Sequence, residues 1–216
     1  MKYKSVLFDL DGTLTDSGPG IRNAVCHALK RFGIEEHDES ALNRFIGPPL
    51  YDSFMRFYGI PADRAKHGEN YFREYYSDKG IFENSVYDGI PECLERLKNN
   101  GVSLFIATSK PDFMAQKVIS HFNLDKYFEL ISGADIERGI TAKSDVIRLL
   151  FENRSDIQPS SCVMVGDREH DVYGAAKFGI PCIGVMWGYG SSEEFSRSGA
   201  LCTVNTPNDL AEYILS

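Results

Sequence analysis

The sequence predicts an α/β protein, with a parallel sheet core clothed by helices and an inserted all-helical domain. Three observations carry that prediction. Short apolar runs of strand length alternate with segments whose apolar residues recur at helical spacing, the pattern of a parallel sheet with crossover helices on both faces. One stretch, residues 17–82, breaks the alternation and carries only helical patterning. The first apolar run, Val6-Leu7-Phe8, empties into Asp9-Leu10-Asp11-Gly12-Thr13-Leu14-Thr15. A buried strand that ends in paired acids is built for chemistry at its C-terminal tip.

The elements follow in chain order. Strands are predicted at residues 5–8, 102–107, 128–132, 162–165 and 182–185, each a short β-branched or aromatic run. In the insertion, Ala24, Val25, Ala28, Leu29 and Phe32 recur on one face and predict a helix over 21–32. Further helices are expected at 41–45, 50–58 and 62–79, with Gly18-Pro19-Gly20 as the entrance and Gly80 through Gly89 as the exit. Beyond it, Ile90, Leu94 and Leu97 predict a helix over 90–100; Met114, Val118 and Ile119 or Phe122 one over 113–122. Val146, Ile147, Leu149, Leu150 and Phe151 predict the next, over 143–153. The expected division is a Rossmann-like core of residues 1–16 plus 83–216, and a helical domain of 17–82. Inserted directly after the first strand, such a module is expected to hang over the C-terminal edge of the sheet and act as a lid.

Composition narrows the function. The 216 residues are enough for one large domain or two smaller ones with a proper core. Hydrophobic content of 43% and charged content of 25% are those of ordinary soluble globular chains. The net charge is −8 and no basic run is present, which argues against a nucleic-acid duplex or an anionic membrane as partner. Five cysteines form no C-x-x-C pair, so a disulfide framework or a thiolate metal cluster is not expected. Cys162 and Cys182 sit in or beside strand-like runs, where a thiol packs as a small hydrophobe. The first strand begins within a few residues of Met1, leaving no room for a signal peptide. No apolar stretch approaches the length of a membrane span. A reducing cytoplasm is the expected location.

Three more polar signals sit at strand ends or helix starts. Thr108-Ser109-Lys110-Pro111 closes the second strand; its hydroxyls, with N–H groups opening onto the next helix, suit a phosphate. Lys143 opens a helix, where an ammonium opposes the helix dipole and needs an anionic partner to justify it. The fourth strand runs into Gly166-Asp167-Arg168-Glu169-His170-Asp171, whose acids, four residues apart, can converge on a hard cation.

In order and spacing, Asp9-Leu10-Asp11-Gly12-Thr13, Thr108-Ser109, Lys143 and Gly166-Asp167-x-x-x-Asp171 resemble the four motifs of the haloacid dehalogenase superfamily. The resemblance spans the whole chain, and the helical insertion is similar to that family's type-1 cap. Gly47-Pro48-Pro49-Leu50 and Trp187-Gly188-Tyr189-Gly190 add a closer likeness to its phosphoglycolate phosphatase-like group, on a branch described as 5′-nucleotidase-like. The resemblance implies an Mg²⁺-dependent phosphatase of a small phosphorylated metabolite; a monomer or homodimer is expected. It implies Asp9 as nucleophile and Asp11 as acid and then base. It implies Thr108, Ser109 and Lys143 as holders of the phosphoryl group. Mg²⁺ would lie on the Asp9 carboxylate, the Asp11 main-chain carbonyl and Asp167, with Asp171 close by or bound through water.

Neighbouring residues are given plainer roles. His170 reads as an exposed loop residue, Arg168 and Glu169 as a local pair or solvated, and Asp16 as a hinge hydrogen-bonder. Trp187 and Tyr189 are expected in a loop packed near the site. Arg22, Asn23, Arg44, Arg56 and Lys79 are insertion residues that read first as surface and second as substrate contacts. Where many phosphoglycolate phosphatases carry asparagine, this chain has Ser109. Nucleoside monophosphates are the alternative substrate class. A dehalogenase needs neither Mg²⁺ nor an acid at position 11, so Asp11 and Asp167 argue against one. Nothing here calls for a mutase, and filled motif positions argue against a non-catalytic phosphate-binding module.

Overall fold

The computed structural model describes residues 2–216. They form two compact units: one joins the stretch up to Thr15 with Val86–Ser216, and the other is Asp16–Ser85.

The larger unit is built on six parallel strands. These are β1 (Ser5–Phe8), β4 (Ser103–Pro111), β5 (Leu130–Ala134), β6 (Cys162–Gly166), β7 (Cys182–Val185) and β8 (Cys202–Val204). Their order across the sheet is β5-β4-β1-β6-β7-β8, every pair parallel. The strands therefore wind outward from β1 in one direction and then in the other, which opens a crevice at the strand tips beside β1. The central position of β1 follows from its sequence: Val6, Leu7 and Phe8 are fully buried. Each large apolar side chain so buried contributes about 1.5–3 kcal/mol.

Six helices complete this unit: α5 (Ile90–Asn99), α6 (Asp112–His121), α7 (Lys143–Asn153), α8 (Glu169–Ala176), α9 (Ser192–Ser198) and α10 (Pro207–Leu215). One core cluster gathers Leu7, Phe105, Met164 and Cys182 from the strands with Val146, Ile147 and Leu150 of α7, Val172 and Ala175 of α8, and Phe195 of α9. Strand periodicity sends the alternate residues to the other face. Gly184 of β7 is required by this packing, since a Cβ there would lie 2.7 Å from the Phe195 ring.

The predicted strands and helices of this unit are present. β4 runs on to Pro111, past the predicted end at 107. β8 and helices α8 to α10 are additions that apolar periodicity alone does not reveal. Thr206 caps α10 by accepting from Asp209 N, while Asp209 accepts from Thr206 N, a reciprocal capping box.

The smaller unit holds α1 (Gly18–Arg31), α2 (Glu39–Asn43), α3 (Leu50–Tyr58) and α4 (Ala62–Tyr76). Gly18-Pro19-Gly20, expected as a linker, forms the first turn of α1. Proline is tolerated there because the first N–H groups of a helix have no intrahelical acceptor. A Cβ on Gly20 would lie 1.8 Å from the Gly80 carbonyl oxygen, so only glycine fits this backbone crossing. Phe45 and Phe54 pack edge to face at 5.1 Å in the unit's core. Arg22 donates to Asn43 at 3.1 Å and Asn23 to Glu83 at 2.8 Å, and the Arg44 guanidinium lies 4.4 Å from the Phe57 ring centre. Two short strands, β2 (Thr15–Asp16) and β3 (Ser85–Val86), form a second sheet. Among the described residues, no helix is long and apolar enough to cross a membrane.

Candidate active site

Asp9 follows β1 directly, and its N–H extends the ladder by donating to Val165 O at 2.9 Å. The chain then turns tightly. Leu10 O accepts from Thr13, Leu14 and Thr15 N, and Gly12 takes φ +82°, a left-handed conformation that favours glycine. Gly12 is needed for a second reason: a Cβ there would lie 2.2 Å from Asp167 Oδ2. The turn backbone and the tip of β6 thus close on each other.

Asp167 follows β6 and is 1% exposed. Its Oδ2 accepts from Tyr189 N at 2.9 Å, and its Oδ1 meets Thr13 Oγ1 at 3.5 Å. The loop after β7 is pinned to the first turn by Trp187, whose Nε1 donates to Thr13 O at 2.9 Å. Glycines at 188 and 190 let that loop pass, since a Cβ on either would lie 2.4 Å or less from Asp167 atoms. Trp187 and Tyr189 therefore belong to the wall of the site, Tyr189 through its backbone N–H.

Asp171 serves two neighbours. Its Oδ2 accepts from Arg168 N at 3.1 Å and caps α8, while its Oδ1 lies 2.8 Å from the Lys143 ammonium. Lys143, the first residue of α7 and 5% exposed, also reaches Asp9 Oδ1 at 2.7 Å and donates to Ala107 O at 2.9 Å. Its stem passes Gly174, where a Cβ would lie 2.6 Å from Lys143 Cγ. The anionic partners that this lysine needs are two carboxylates.

Carboxylate oxygens of Asp9, Asp167 and Asp171 all lie within 4.8 Å of one another. One ammonium, Lys143, faces two of these three acids. Burial pushes the Asp9 carboxyl up to about 7; Lys143 opposes that rise and Asp171 adds to it. Burial, then Asp171 and Asp9, push Asp167 well above the usual carboxylate range. For Lys143, burial favours the neutral amine, but Asp171 and Asp9 outweigh it and hold the ammonium charged. The cluster is short of positive charge. Its donors are all hard oxygens, a set that fits Mg²⁺ or a similar cation.

The tip of β4 supplies the remaining groups. Its register with β5 is broken between Ala107 and Pro111, and such irregularities re-aim side chains beside active sites. Strand alternation buries Thr108 and Lys110 and exposes Ser109. Thr108 Oγ1 accepts from Lys110 N at 3.2 Å. The Lys110 ammonium sits 2.9 Å from both oxygens of Asp11. Lys110 was not singled out from the sequence; its two-residue offset from Thr108 was the available signal.

The neighbours also find their places. His170 is exposed, in the first turn of α8 rather than in a loop. Arg168 and Glu169 both reach α9. Arg168 Nε lies 2.9 Å from Glu194 Oε1, which also accepts from Glu169 N at 2.7 Å, and Glu169 lies 3.1 Å from Arg197. Asp16 Oδ1 accepts from Gly18 N at 3.1 Å at the start of α1.

Known proteins share this chain's sequence pattern and fold. The model of the haloacid dehalogenase-like hydrolases matches residues 6–185. A 5′-nucleotidase of Pseudomonas aeruginosa is 44% identical over 194 residues, which cover 90% of this chain and 87% of that protein. The tyrosine-protein kinase PtkA of Mycobacterium tuberculosis is 38% identical, over 89% of this chain and 65% of that one. The crystal structure of a predicted phosphatase from Clostridium acetobutylicum superposes with a TM-score of 0.93 at 45% identity, covering 100% of this chain and 99% of that chain. The crevice beside β1, its ring of acids and these likenesses agree: the chain belongs to the haloacid dehalogenase-like hydrolase family.

Proposed function

We propose that this hydrolase is a phosphatase of small-molecule phosphate monoesters, dependent on Mg²⁺ and working through an aspartyl-phosphate on Asp9. The carrying observation is the convergence of Asp9, Asp167 and Asp171, with Lys143 on the first and last of them, at the tips of β1 and β6. Asp9, Asp167 and Asp171, with the Asp11 carbonyl, would hold the cation. When bound, it offsets the negative charge of acids and phosphate together.

The residues then divide the work. Asp9 attacks phosphorus with one carboxylate oxygen as the ester oxygen leaves, which splits one hard displacement into two easier ones. Asp11 gives a proton to the leaving oxygen and later takes one from the water that cleaves the acyl-phosphate. Lys143 and Thr108, with the Ser109 N–H, hold the phosphoryl oxygens. Fixed donors of this kind contribute about 3 kcal/mol each. Phosphoglycolate and nucleoside monophosphates are the two substrate classes, and the 44% identity to a 5′-nucleotidase favours the second.

The test is a panel of phosphoglycolate, nucleoside monophosphates, sugar phosphates and pyrophosphate, read by release of free phosphate with and without Mg²⁺. Phosphate release that needs Mg²⁺ and is lost in Asp9→Asn is the expected result. Transfer from ATP to a tyrosine peptide, with every ester left intact, would replace this reading with a kinase. Beryllofluoride with Mg²⁺ is expected on Asp9 in a crystal, and density on another side chain would require a different nucleophile.

A further inference from the structure

We propose that Lys110 is a positioning residue for the leaving-group step, its ammonium holding the Asp11 carboxyl group, protonated when it acts as the acid, in the place from which it serves the ester oxygen. This rests on the phosphomonoesterase reading above. The Lys110 ammonium lies 2.9 Å from each Asp11 oxygen, so it holds both oxygens and fixes where the carboxyl group sits. The lysine side chain is 4% exposed, whereas Asp11 is 21% exposed. One edge of the acid is thus held from inside, while the acid itself keeps solvent access.

Stability gives a poor reason for this pair. Burying a lysine costs side-chain entropy and desolvation, which a single ion pair barely offsets. Orientation gives a better one, since proton transfer demands hydrogen-bond geometry to the leaving oxygen. The backbone supplies the precision. Lys110 stands on β4 where the register with β5 breaks, and its N–H donates to Thr108 Oγ1 at 3.2 Å. One short segment therefore sets both a proposed phosphoryl-holding hydroxyl and the proposed acid.

The role is separable from phosphate binding by the leaving group. A p-nitrophenolate departs without a proton, whereas unsubstituted phenolate and alkoxides need one. The ratio kcat/KM reports the steps up to that departure and is blind to hydrolysis of the intermediate. The experiment measures kcat/KM at saturating Mg²⁺ for a series of substituted phenyl phosphates. The proteins are wild type, Lys110→Met, Lys110→Arg and Asp11→Asn. For Lys110→Met we expect a loss of about 10²-fold on phenyl phosphate and under about tenfold on p-nitrophenyl phosphate. The dependence on leaving-group acidity should steepen towards that of Asp11→Asn, and Lys110→Arg should recover part of the wild-type slope. Lys110→Gln gives the same reading if the methionine variant does not fold.

Equal losses across the series would overturn the proposal and make Lys110 a phosphate-binding or packing residue. No loss on any ester would overturn it as well. A wild-type protein that cuts none of the esters would instead sink the phosphatase reading. An Asp11→Asn slope like that of wild type would sink the acid assignment, and Lys110's role with it.

Discussion

Two buried lysines reach aspartates at the strand tips, and they are not equivalent. Lys143 stands among acids that outnumber it, reaching Asp9 at 2.7 Å and Asp171 at 2.8 Å, with Asp167 in the same cluster. Lys110 grips one acid, Asp11, with both oxygens at 2.9 Å. The first cluster is left short of positive charge, and burial raises Asp9 and Asp167 accordingly. The second sets one ammonium against one carboxyl group. Imbalance favours a further cation, whereas a one-to-one pair fixes a position. The two arrangements therefore suit charge handling and proton handling respectively.

The largest break in that comparison is Asp9→Asn. Removing the proposed attacking carboxylate is expected to lower p-nitrophenyl phosphate turnover by about 10⁴-fold or more. The melting temperature should hold or rise, because one of three crowded acids loses its charge. Retained turnover would reject the nucleophile assignment.

Next comes the cation. Chelation should silence turnover and added Mg²⁺ restore it; full activity in chelator would point to chemistry of the dehalogenase kind. Calorimetry should show Mg²⁺ stabilising the fold by about 2.7 kcal/mol at a hundredfold excess over its Kd. The variant Lys110→Met, whose acids at the other cluster are intact, should keep that gain.

The third effect is pH. Asp9 rises from 3.8 unfolded to about 7 folded, so between those values the native state holds a proton that the unfolded state has lost. Stability from this group is full below about pH 4 and is lost as pH rises through about 7. Melting curves of the metal-free protein should therefore fall relative to Asp9→Asn across that window, and Mg²⁺ should flatten the difference. A constant gap would show that Asp9 is not perturbed.

The smallest effect is expected at Glu194, which ties Arg168 and the Glu169 N–H to α9 and so steadies the turn that carries Asp167 and Asp171. Glu194→Gln should weaken Mg²⁺ binding by about three- to tenfold, with kcat at saturating Mg²⁺ little changed. An unchanged Mg²⁺ titration would make this bridge purely structural.

What was readable beforehand follows from where the information lies. The central strands were legible because both faces are buried and their residues form unbroken apolar runs, as in Val6-Leu7-Phe8 and Cys162-Val163-Met164-Val165. The acids at their tips were legible because two carboxylates directly after such a run have no packing reason to be there. β8 was missed because a three-residue edge strand with a half-exposed pattern carries little apolar signal. The partners of Arg168 and Glu169 were missed because both lie on α9, more than twenty residues away.

The sequence by itself determined the alternation of strands and helices, the inserted helical segment and the set of acids and lysines available for chemistry. Those follow from local pattern, which depends on neighbours in the chain. Only the tertiary structure decided which lysine meets which acid, that Lys110 takes Asp11 while Lys143 takes Asp9 and Asp171, and that the latter group is left short of a cation. Charge balance is a property of distance and burial, and parallel strands joined by long crossovers bring together groups 99 residues apart, as Lys110 and Asp11 are.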